Sequence, residues 1–198
     1  VLGRGGRWEH VDITGRAGDR VRLFGWSFPQ RAVLEPPLAS FPRADVVPGM
    51  ASLGLLHAEV GASGGRYCPV ARSALTAMPV DGWVLGHVHQ PTPPAAVGGR
   101  PFVVYAGSLQ GLDAGPGERG AHGVWEIEAV PGGVQARFAP LAAVQYDECE
   151  VGLAAADSAG EVQVRLAQAL REYAVAARQA NPFLTHAVVR LCLTGRTA

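Results

Sequence analysis

Three histidines carry the strongest chemical suggestion in this sequence. His87 and His89 stand at positions i and i+2 in Gly86-His87-Val88-His89, directly after the apolar run Trp83-Val84-Leu85. On an extended backbone two residues so spaced project to the same side. Both imidazoles would then enter one crevice at the C-terminal edge of a buried strand, where neutral imidazoles ligate divalent metals. His57 closes a second apolar run, Leu53-Gly54-Leu55-Leu56, and so also falls at a strand end. Cysteine chemistry is a poorer match. Cys68, Cys149 and Cys192 are far apart and in no Cys-x-x-Cys spacing, which supports neither a thiolate zinc site nor a disulfide framework. No motif fixes a base beside Cys68, so it reads as a quiet thiol.

The elements that must position these histidines are short apolar runs bounded by Gly, Pro or Asp. Residues 20–24, 52–56, 82–85 and 102–105 read as strands, several of them buried on both faces. Residues 123–128 and 134–138 alternate in polarity around Pro131-Gly132-Gly133 and predict a hairpin with one wet face. From about residue 141 the texture changes. Leu141 to Val151 is strand-like, and Ser158, three residues before Glu161, predicts a helix start with a capping box. Val162, Leu166, Ala169, Leu170, Tyr173, Ala174 and Ala177 follow as one apolar stripe. Asn181-Pro182 stops the helix, and residues 185–193 alternate as a further strand. This divides the chain at 140/141, with an α/β region over 1–140 and a partial α+β unit of strand, helix and strand over 141–198.

Bulk composition names no partner. The 17 basic residues, all Arg, balance 17 Asp and Glu, which excludes a basic nucleic-acid coat or an acidic tail at the level of composition. Gly (26) and Pro (15) punctuate apolar runs rather than forming a low-complexity tract, and 48% of residues are hydrophobic, so the chain reads as folded and loop-rich. No run of about eighteen apolar residues occurs, and Val1-Leu2-Gly3-Arg4 lacks an apolar signal core. The expectation is a soluble, cytoplasmic protein with no membrane association. His10, His122 and His186 lack any such context and read as structural imidazoles. The four tryptophans sit in or beside apolar runs and read as core.

Three motifs in order carry a family resemblance: Leu55-Leu56-His57-Ala58-Glu59-Val60-Gly61, Gly86-His87-Val88-His89, and Val104-Tyr105-Ala106-Gly107-Ser108. Together they resemble the second half of a calcineurin-like metallophosphoesterase. The Tyr105 to Gln110 stretch is similar to DNA double-strand-break repair exonucleases of the SbcD type, and residues 187–195 resemble a strand of that family's capping domain. The resemblance implies an α/β metallophosphoesterase fold, a layered β-sandwich with flanking helices, present here as its C-terminal part over 1–140 and followed by a partial capping domain.

By the same resemblance, two divalent ions, manganese in most of the family, clamp a scissile phosphodiester. His57 and His87 would ligate one ion and His89 the other, while Tyr105 and Ser108 would lie near the substrate or hold the histidine loop. The partners implied are DNA and an SbcC-type ATPase. The departure lies upstream: the family's Asp-x-His, Gly-Asp and Gly-Asn-His motifs do not occur before His57. The chain therefore reads as a portion with three metal ligands, no bridging carboxylate, no general-acid histidine and little or no activity by itself. Exposed sheet edges then favour self-association as a homodimer, or a partner chain. Two alternatives stand beside this reading: a phosphoesterase acting on nucleotides or phosphoproteins, and a non-catalytic scaffold.

Overall fold

A computed structural model describes residues 1–16, 18–61, 64–93, 100–130, 133–153 and 158–195. The fold is mixed α/β, built mainly from strands. It divides into two compact units, one comprising Val1–Gly107 with Trp125–Phe138, the other Ser108–Val124 with Ala139–Ala198.

The first unit is organised by a five-stranded sheet in the order β1-β2-β3-β6-β7. Its strands are β1 (Glu9–Thr14), β2 (Arg20–Trp26), β3 (Ala51–His57), β6 (Gly82–Gly86) and β7 (Phe102–Tyr105). β1 runs antiparallel to β2, and the remaining neighbours are parallel. The central strands are apolar on both faces because both faces are covered. Phe24, Trp83, Leu85 and Leu75, all fully buried, pack on one side, the last from the short helix α1 (Arg72–Thr76). Leu53, Phe102, Val104 and Val134 pack on the other, where Trp125 and Ile127 of β8 (Gly123–Val130) and Ala136 of β9 (Gly133–Pro140) join them. Two strands of two residues each, β4 (Glu59–Val60) and β5 (Pro69–Val70), pair beside this sheet. The turn expected at Pro131-Gly132 lies outside the described residues.

Aromatic packing here depends on a missing side chain. A Cβ on Gly54 would stand 2.3 Å from the Trp83 ring, so the residue between Leu53 and Leu55 has no side chain because the indole fills its place.

Strand β1 escapes the sequence pattern because it is a polar edge. His10, Asp12 and Thr14 alternate with Val11 and Ile13, which are 42% and 52% exposed. The strand is tied instead by charge. Asp12 accepts from Arg22 at 2.6 and 2.8 Å and from Arg20 at 2.5 Å. The Arg22 guanidinium, opposed only in part by desolvation, holds the Asp12 carboxyl down at about 2 against an ordinary 3.8. A carboxyl depressed in the folded state stabilises fully above its unfolded value and loses that contribution as pH falls through its folded value. The stability advantage of the wild type over Asp12→Asn is therefore expected to be constant from neutral pH down to about 4 and to shrink between about 4 and 2. Urea unfolding across that range checks it, and an advantage as large at pH 2 as at neutral pH refutes the pairing.

The second unit holds β10 (Val144–Leu153), α2 (Ala159–Ala180) and β11 (His186–Gly195). β10 and β11 pair in parallel from Val144↔His186 to Leu153↔Gly195, with α2 as the crossover. The capping box forms: Ser158 N–H donates to Glu161 Oε2 at 2.6 Å and Glu161 N–H to Ser158 Oγ at 3.4 Å. Such a cap is worth about 1 kcal/mol. Asn181 ends the helix, fully buried, with its side chain donating to Ala142 O and accepting from Phe183 N–H. The buried stripe is narrower than its periodicity suggests. Val162, Leu166, Ala169, Tyr173 and Ala177 are covered in whole or part, whereas Leu170 and Ala174 face solvent, since a helix lying on two strands can bury only a thin face.

Ser108–Val124 belongs with the second unit. The Gln110 side chain is bonded both ways to the Val144 backbone, Gly120 N–H donates to Tyr146 O, and His122 O accepts from Leu141 and Ala142. These links tie 108–124 to β10.

Candidate functional site

Strands β3 and β6 lie side by side in parallel, with His57 opposite Gly86. Their C-terminal ends therefore bring His57 and the residue after Gly86 together, as parallel neighbours in an α/β sheet do. Gly86 makes room for the His57 ring, since a Cβ there would stand 3.0 Å from His57 Nδ1. The His57 and His87 rings meet edge to face, with centroids 5.2 Å apart and planes at 72°.

The geometry beyond Gly86 corrects the reading of His-x-His as an extended pair. β6 ends at Gly86, and His87 has φ = 106°, a conformation that side chains other than glycine seldom adopt. Holding it costs on the order of 1–3 kcal/mol, which the surroundings must supply. The chain turns at His87, so the alternation argument no longer relates His87 to His89. Among the described residues no group of three or more His, Cys, Asp or Glu is arranged to hold a metal ion. His57 and His87 come together; His89 does not join them in such a set.

Two aromatic neighbours frame the pair. Tyr67 lies 4.9 Å from His87 at 32°, close to stacked, and Phe28 meets His57 at 5.3 Å and 82°. Neither belongs to the sequence motifs. Phe28 directly follows the β2 extension, and Tyr67 arrives through a bridge to Val33, with Val33 N–H donating to Arg66 O and Cys68 N–H to Val33 O. Only long-range pairing places them, so local spacing carries no trace of it. Burial, and secondarily the neighbouring His87, lowers the pKa of His57, which favours the neutral, lone-pair-bearing imidazole. Burial pushes the Cys68 thiol up to about 11.

Tyr105, at the end of β7, clamps the chain that follows His57. Its hydroxyl donates to Ala58 O at 3.1 Å and accepts from Val60 N–H at 2.7 Å. This gives Tyr105 the role of holding the histidine segment. Tyr105→Phe is expected to destabilise by about 1 kcal/mol and to speed amide exchange at Val60; unchanged exchange there refutes the clamp. Ser108 belongs to the second unit, where its hydroxyl donates to Gln110 O at 2.9 Å and faces His122 Nδ1 at 3.0 Å.

A cavity of about 750 Å³ opens beside His57, bordered by the ends of β2, β3 and β6. Trp26 is part of its wall, and its indole N–H, buried, has no hydrogen-bond partner among the described residues. A buried donor without a partner costs about 1–3 kcal/mol.

Two imidazoles, His57 closing β3 and His87 just past the end of β6, suit two positions in the ligand shell of one divalent ion. The described residues supply no third ligand to complete a site. The class defined at this level is a mixed α/β protein with a paired-imidazole centre at the C-terminal edge of a parallel sheet. No protein-family model matches the chain, and no curated protein matches it either. No helix among the described residues is long and apolar enough to cross a membrane.

Proposed function

We propose that His57 and His87 are two ligands of a divalent-metal centre belonging to a cytoplasmic phosphodiesterase that acts on DNA, in the manner of the SbcD-type nucleases. On this reading the first unit is the C-terminal part of a metallophosphoesterase sandwich and the second the opening of a capping domain. His89, on the same loop, would serve a second ion. The observation that carries the reading is the meeting of the two imidazoles, 5.2 Å apart, at the ends of neighbouring parallel strands.

The side chains have distinct tasks. His57, kept neutral by burial, offers a lone pair rather than a proton. Gly86 leaves space for its ring, and Tyr105 fixes the backbone on its far side. Tyr67 covers one face of His87. Manganese ions, when bound, would supply charge neutralisation at the phosphate. DNA and an SbcC-type ATPase are the corresponding partners.

A scaffold that keeps the fold and binds a partner is the second reading, and one observation favours it: no set of three ligating side chains converges among the described residues. Calorimetric titration of manganese separates the two. Binding to the wild-type chain and its loss in the triple variant His57→Ala, His87→Ala, His89→Ala is the expected result. Identical heats for both chains would overturn the metal centre and leave the scaffold.

A further inference from the structure

The cavity beside His57 has a lining that selects a ligand class. Its walls are apolar and aromatic, with Leu55 and Val84 from the sheet and Trp26 and Phe28 from the end of β2. No Asp or Glu among the described residues lines it. The Arg31 guanidinium at the cavity can only donate. Arg31, an exposed residue at the cavity, makes no side-chain ion pair or hydrogen bond among the described residues. A site of this size with aromatic walls, the Arg31 guanidinium and, among the described residues, no anion of its own is complementary to an anion that carries a flat ring.

We propose that this cavity binds an aromatic ring joined to an anionic group, with the ring against Trp26 and Phe28 and the anion at Arg31. The proposal rests on the phosphodiesterase reading only for the choice of a nucleotide as its principal ligand. In that setting the cavity would hold a base beside the histidine pair and so favour nucleotidic substrates over phosphoproteins.

Tryptophan fluorescence of the full chain, titrated in the presence of a chelator, tests this without any metal. Four probes separate the parts: dAMP, adenosine as ring without anion, deoxyribose 5-phosphate as anion without ring, and 2-naphthoate as an aromatic carboxylate. Saturable quenching by dAMP is expected, with both half-ligands at least about tenfold weaker. Arg31→Ala, a surface change that leaves the core intact, should weaken dAMP about tenfold through loss of a charge-assisted contact and leave adenosine unchanged. Binding of 2-naphthoate without dAMP upholds the site and rejects a nucleotide as its ligand. No binding of either aromatic anion at millimolar concentration, or dAMP binding indifferent to Arg31→Ala, overturns the proposal. Manganese titration is read without nucleotide, so each reading can fail alone.

Discussion

Trp83→Ala is expected to remove about 3–5 kcal/mol of stability, the range for truncating a large buried aromatic. The side chain is fully buried at the centre of the first unit. Its indole N–H donates to Leu75 O at 3.0 Å, which fastens α1 to the sheet, and its ring meets Trp8 at 6.1 Å and Phe41 at 6.0 Å. Against a total of about 5–15 kcal/mol for an ordinary domain, such a loss brings the unit close to unfolding. A companion variant makes the result specific. Gly54→Ala drives a methyl group into the same ring, so it should be strongly destabilising alone and distinctly milder combined with Trp83→Leu. Contacting residues show such non-additivity where distant ones add. A loss below about 1 kcal/mol for Trp83→Ala, or strict additivity of the pair, in urea unfolding would refute this account of the core.

His122→Leu is expected to cost the second unit about 1–3 kcal/mol. The imidazole is fully buried, with Nδ1 at 3.0 Å from both Ser108 O and Ser108 Oγ and Nε2 at 3.0 Å from Glu118 O. Leucine fills a similar volume but returns none of these bonds, and water cannot reach the site to replace them. The segment 108–124 should then loosen from β10, seen as faster amide exchange at Leu141 and Ala142, whose N–H groups donate to His122 O. His122→Gln, which keeps one polar end, should fall between the two. Equal stability of wild type and His122→Leu would mean that the ring bonds contribute nothing net.

Residues whose environment is local were legible in the sequence. The strands ending at His57 and near Gly86, the Tyr105 strand, the hairpin arms and the Ser158 capping box all follow from runs, alternation and fixed offsets, and the structure places each within a few residues of its expected position. His122 also fits its reading as a structural imidazole. What escaped depends on pairing between distant segments or on a single backbone angle. β1 is held by Arg20 and Arg22 rather than by an apolar face. Tyr67 reaches His87 through a bridge to Val33, and the attachment of 108–124 to β10 runs through Gln110 and Val144. The turn at His87 is the sharpest case, because one positive φ changes where two imidazoles go and no composition or spacing encodes it. The metal and DNA readings remain proposals supported by the histidine pair.

The parallel pairing of β10 with β11 has a kinetic side. Ala143 and Thr185, joined by a hydrogen bond at the start of this ladder, are 42 residues apart in the chain, and no hairpin can form first to shorten that span. Closing a loop of this length costs on the order of 3 kcal/mol of chain entropy before the first ladder bond is made. α2 can form early from its own cap and local contacts, shortening the loop by coiling much of it at about 1.5 Å per residue. The order of assembly in the second unit is thus written into its topology: helix first, sheet last, with the ladder closing slowly and in one step, as non-local pairings do.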